Sequence, residues 1–135
     1  MSNTTEVLNK RKVSVTKKFS FEASHNLTNY AGLCSRLHGH SYKLFVTISG
    51  YIYPESQNVY DCMVMDFKEL KHLVDAEVVN KLDHFYLNDI YPQPTAEVMA
   101  IDIYERISNA LPTDCTLEKV RLYETEDSYA EVCRD

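Results

Sequence analysis

Two histidines, His38 and His40, follow a thiol in the stretch Cys34-Ser-Arg-Leu-His38-Gly-His40. In extended backbone, residues two apart leave the same face of a strand, so both imidazoles project together and can grip a transition metal. Gly39 between them adds no side chain on the opposite face. A third histidine, His25, ends an alternating run whose apolar members are Val13, Val15, Phe19, Phe21 and Ala23. Its parity is theirs, which directs it inward at the strand's end. Three imidazoles plus an open position are the usual donor set of a catalytic zinc site, where the ion polarises a substrate oxygen. The plainer alternative is a set of surface or core histidines with no metal. Cys34 is open to three readings from its position alone: a fourth ligand, a reactive thiolate near the metal, or an inert thiol.

Further along, His84 has the residue type of a general acid/base, because a free imidazole titrates near working pH. It equally suits the negative end of a helix closing near Lys81. Asp83 precedes it; neighbours on a regular element do not face one another, so the pair is not expected to form a relay by itself. Glu124 shares the parity of Val120 and Leu122, so its carboxylate is directed to the apolar side, where it needs partners. A paired N–H edge, from an arginine or a 2-amino-4-oxo pyrimidine, would satisfy it. An ion pair with Arg121 or Lys119 is the alternative, weakened by their opposite parity. Thr95 and Glu97 open a helix as cap and dipole partner, or receive a polar ligand edge there.

The elements that must position these groups follow from periodicity. Residues 13–25 and 40–50 alternate as strands, joined by an aperiodic loop that carries Cys34. Residues 58–65 read as a third short strand. Asp66 is a helix N-cap with Glu69 as capping-box partner, and Phe67, Leu70, Leu73, Val74 and Val78 form the apolar stripe. A second helix starts at Thr95, carries Ala96, Ala100, Ile103, Ile107 and Ala110, and stops before Pro112. Residues 117–125 and 128–134 are two more strands. No βαβ alternation occurs, so the expectation is an α+β fold: an antiparallel sheet with both helices packed on one face.

The chain has 135 residues, enough for one domain with a real core, over residues 12–135 behind a flexible polar tail at 1–11. Lys10, Arg11, Lys12, Lys17 and Lys18 against Glu6 leave residues 1–18 at +4, so the remainder carries −10 of the total −6. That acidic body argues against nucleic acid. Four cysteines without a Cys-x-x-Cys pair, no secretory leader and no apolar run near ~18 residues suggest reduced thiols in a cytoplasmic protein without a membrane span.

Six segments, in order, resemble the 6-pyruvoyl-tetrahydropterin synthase family: Phe19-Ser-Phe-Glu-Ala-Ser-His25, Cys34-x-x-x-His38-Gly-His40, Met63-Val-Met-Asp66-Phe67, Leu82-Asp83-His84-x-x-Leu87-Asn88, Pro94-Thr95-Ala96-Glu97 and Tyr123-Glu124-Thr125. The three-residue gap between Cys34 and His38 looks like the branch that forms 6-carboxy-tetrahydropterin on the way to queuosine. Departures are Val98, where the family often has Asn, and Cys62, where it has Gly.

The resemblance implies a tunnelling fold and Zn2+ on His25, His38 and His40. It implies that Cys34 accepts a proton, that His84 is its partner acid/base with Asp83 orienting it, and that Glu124 anchors the pterin's amino-pyrimidine edge. Thr95 and Glu97 would border the pterin. It implies homo-oligomers, a trimer or a dimer of trimers, with sites between subunits. The implied reaction converts 7,8-dihydroneopterin triphosphate to 6-carboxy-tetrahydropterin, acetaldehyde and triphosphate. Rival readings are formation of the 6-pyruvoyl product, an aldolase acting on the pterin side chain, and a non-catalytic pterin-binding assembly module. Lys17, Lys18 and Arg36 are candidates for the triphosphate.

Overall fold

A computed structural model describes residues 7–54 and 62–135. The sheet runs in the order β3-β1-β2-β4-β5. Its strands are β1 (Val13–His25), β2 (His38–Gly50), β3 (Phe85–Tyr86), β4 (Thr116–Thr125) and β5 (Ser128–Cys133). Strands β1, β2, β4 and β5 pair antiparallel. The two-residue β3 runs parallel to β1, pairing Ala23 with Phe85 and Ser24 with Tyr86, so the sheet is mixed rather than purely antiparallel. The reason is local: the chain leaves the first helix, turns at Asp83–His84 and lies along the end of β1.

Helix α1 (Phe67–Val74) is capped by Asp66, whose carboxylate accepts from the Lys68 N–H at 2.7 Å rather than from Glu69. The helix continues through a π turn at Asp75–Val79 and a last α turn at Asn80–Leu82. Helix α2 (Ala96–Ala110) is capped by the Thr95 hydroxyl, which accepts from the Val98 N–H at 3.2 Å. The expected third strand over 58–65 falls largely outside the described residues; Met63–Met65 is not strand. Of the expected tail, residues 7–10 form a turn closed by Lys10 N–H to the Val7 carbonyl.

The pleat decides what faces what. Phe19, Phe21, Ala23 and His25 of β1, and Tyr42, Leu44, Val46 and Ile48 of β2, are buried on the helix side. They meet Leu70, Val74 and Val78 from the first helical segment and Met99, Ala100, Ile103 and Ile107 from α2 in one core. Burial of large aliphatic side chains contributes about 1.5–3 kcal/mol each, so this layer is what holds the strand ends in register. Glu22, Ser24, Gly39 and Ser41 alternate onto the opposite, outer face. Cys34, Cys115 and Cys133 are free thiols, and burial pushes the Cys115 thiol up to about 11.

Candidate metal centre and active site

Antiparallel register sets His25 directly opposite His38, and Ala23 opposite His40, so all three histidines leave the helix side at one end of the β1–β2 ladder. His25 is 1% exposed. Its Nδ1–H donates to the Pro94 carbonyl at 2.8 Å, and the His38 Nδ1–H donates to the Arg36 carbonyl at 2.7 Å. A carbonyl only accepts, so both neutral rings carry their proton on Nδ1 and direct the Nε2 lone pair into the cluster. Those two Nε2 atoms lie 3.0 Å apart. Two lone pairs at that separation repel unless a proton or a cation joins them. The Nε2 of His40 is buried and has no hydrogen-bond partner. Three convergent donors, within 4.8 Å of one another, therefore fit a metal ion.

Burial first, then the two neighbouring imidazoles, hold His40 below the ordinary histidine pKa, with Glu124 acting the other way. That keeps the ring neutral, as a ligand must be. Tyr42 supports the cluster from below: its ring stacks on Phe21 at 4.9 Å and stands edge-on to His40 at 5.6 Å.

Glu124 points to the same side, as its parity predicts. Its two carboxylate oxygens stand 3.8 Å from His25 Nε2 and 3.9 Å from His40 Nε2. Glu97 and Glu124 line one cavity of about 270 Å³ beside the histidines, at the N-terminus of α2. Thr95 caps that helix, its hydroxyl accepting from the Val98 N–H.

Asp83 and His84 sit elsewhere, and here the sequence-based expectation fails. His84 Nδ1 is 3.0 Å from Asp83 Oδ2, so the neighbours do meet. The cause is a left-handed backbone at His84 (φ 64°), which turns the ring back over the preceding residue. The turn is held by β1: Glu22 N–H donates to Asp83 Oδ1 at 2.9 Å, and His84 N–H donates to the Glu22 carbonyl at 2.5 Å. The Glu22 N–H is the main reason the Asp83 carboxyl lies below its usual range. The His84 side chain is 77% exposed and lines a cavity with Glu22, Ser24, Gly39 and Ser41 of the outer face, at which Ala23, His40 and Phe85 also stand.

Cys34 lies in a 3₁₀ turn (Leu33–Ser35) and is exposed; it is not a member of the metal cluster. Its carbonyl accepts from the Leu27 N–H at 2.8 Å. The loop's first residues are pinned by side chains following β3: Asn88 brackets Asn26 through Oδ1 and Nδ2, and Gln93 brackets Thr28 likewise. Lys17 lies over Phe19 and Lys18 over Phe45, and both lysines line one cavity of about 380 Å³ with Lys71 and Asp75. The groups that sequence reasoning missed are backbone carbonyls, which carry no residue signature, and Glu22 with Ser41, whose signal is their cross-strand pairing.

The sequence profile described as 6-pyruvoyl tetrahydropterin synthase matches residues 14–135. The chain is 41% identical to 6-carboxy-5,6,7,8-tetrahydropterin synthase of Synechocystis sp., over 71% of this chain and 75% of that one. It is 39% identical to dihydroneopterin monophosphate aldolase of Pyrococcus furiosus, over 84% and 90%. Its structure resembles that of Caenorhabditis elegans 6-pyruvoyl tetrahydropterin synthase, with a TM-score of 0.77 at 25% identity over 93% and 97% of the two chains.

Proposed function

The chain belongs to the 6-pyruvoyl tetrahydropterin synthase family of lyases, and from that footing we propose that it is a zinc-dependent 6-carboxy-tetrahydropterin synthase. The reaction consumes 7,8-dihydroneopterin triphosphate and one water and yields 6-carboxy-5,6,7,8-tetrahydropterin, acetaldehyde and triphosphate. The observation that carries the reading is the convergence of three Nε2 atoms beside a carboxylate-lined cavity large enough to receive a flat ring edge.

Zn2+ held by His25, His38 and His40 supplies a Lewis acid for a side-chain oxygen. Glu124 accepts the N–H pair of the amino-pyrimidine edge and so fixes the ring, with Glu97 bordering it. Asp83 holds the His84 imidazole through Nδ1, which leaves Nε2 to give or take a proton at a side-chain carbon or oxygen. Cys34, on the loop between β1 and β2, would accept the second proton. His84 is not a member of its own chain's histidine cluster, and in this reading it completes the metal site of a neighbouring copy, in a trimer or a dimer of trimers.

Mass spectrometry of products from zinc-loaded protein tests this. 6-Carboxy-tetrahydropterin with acetaldehyde is the expected result; the 6-pyruvoyl product would overturn the branch. The similarity to the aldolase favours a second reading, side-chain cleavage, which glycolaldehyde would reveal. Bound zinc and bound pterin with no product would make the chain a binding module.

A further inference from the structure

We infer that Glu22 is a further substrate-binding residue, accepting a hydroxyl from the carbon part of the substrate's side chain next to His84. The inference rests on the pterin reading above. Its basis is the outer-face cavity of about 360 Å³.

Two cross-strand pairs, Glu22 with Ser41 and Ser24 with Gly39, make the cavity floor, His84 and Phe85 wall it, and the third pair, Ala23 with His40, lies between them. A Cβ at Gly39 would meet only the Ala23 carbonyl oxygen, at 3.6 Å, an ordinary contact. Packing therefore does not demand glycine there; its missing side chain is what leaves the floor open.

The lining contains no lysine or arginine. A triphosphate has no counter-charge in it and meets the Glu22 carboxylate instead, whereas an uncharged, hydroxyl-bearing chain finds acceptors. Ser41 Oγ donates to one Glu22 oxygen at 2.6 Å, which fixes the carboxylate's direction. The second oxygen has no hydrogen bond among the described residues, and a carboxylate oxygen can only accept. The distance from Glu22 to His84 is set by backbone, because the Glu22 N–H and carbonyl hold Asp83 and His84 respectively. A hydroxyl bound to Glu22 is thus presented to the imidazole that moves the proton. The bland alternative is a solvated Ser–Glu cross-strand pair.

The test is equilibrium binding of neopterin and 6-methylpterin to zinc-loaded, assembled protein, read by fluorescence quenching, in the wild type, Glu22→Ala and Glu22→Gln. Neopterin carries the side-chain hydroxyls and 6-methylpterin lacks them. A charge-assisted hydrogen bond is worth about tenfold or more in affinity. Glu22→Ala should weaken neopterin by at least about that factor and leave 6-methylpterin unchanged, with Glu22→Gln in between. Unchanged neopterin affinity in both variants overturns the inference and leaves the proposed function standing. An equal loss for both ligands also overturns it, showing a structural role. Failure of the wild type to bind either pterin overturns the pterin reading, and this inference with it.

Discussion

The two faces of one pair of strands carry opposite kinds of chemistry. On the helix side, β1 and β2 end in three imidazoles that are buried or half-buried, and burial holds His40 below the ordinary histidine pKa. On the outer side, Glu22 holds a carboxylate–imidazole pair that is exposed and able to exchange protons with whatever approaches. A metal ligand must be fixed and dry, and a proton carrier must be reachable. The pleat separates the two by construction, because residues of opposite parity cannot share a side. In the proposed function, a second copy of the chain is the means by which both would act on one substrate.

The largest effect that would sharpen this contrast comes from His38→Ala. It removes one of three ligands and touches nothing on the outer face. Zinc affinity, measured by chelator competition, should fall by about two to three orders of magnitude if zinc binding energy is shared among its ligands. Retention of wild-type affinity would break the assignment of the cluster. Next comes Asp83→Asn, which leaves the metal side alone but deprives the His84 Nδ1–H of a charged acceptor. Turnover should drop by roughly 10–100-fold with zinc content unchanged. Loss of zinc in this variant would show that the two faces are not independent.

The smallest effect is in pH. Burial places the His40 pKa below its ordinary 6.5, so this ligand stays neutral as pH falls through 6.5. In the metal-free chain, between the folded value and 6.5, the unfolded state binds more protons, so stability declines as pH falls. Thermal melts of the metal-free chain across this range check it; stability that rises as pH falls below 6.5 would contradict the burial argument.

Much of the metal side was legible in the sequence. His-x-His spacing, the parity of His25 and the parity of Glu124 each follow from the two-residue repeat of a strand, and the structure brings all four together. The same logic failed at Asp83–His84. Alternation assumes regular backbone, and the φ of 64° at His84 is a tertiary compromise held by Glu22. It also could not see that Pro94 and Arg36 select the tautomers, since a carbonyl is the same in every residue. The parallel pairing of β3 escaped for a related reason: two residues are too few to show a period. Of the two readings of Thr95, the cap is seen in the structure, and the hydroxyl that accepts from Val98 still has its O–H to donate.

The most direct measurement is complementation between variants. His38→Ala and His84→Ala proteins are each purified, then mixed, dissociated and reassembled, and turnover of 7,8-dihydroneopterin triphosphate is followed before and after. A site shared between copies predicts two nearly inactive homo-oligomers and regained turnover in the mixture, because some sites then pair an intact histidine cluster with an intact His84. Mixed oligomers that form, bind zinc and stay inactive would contradict it and place both groups in the service of a single chain.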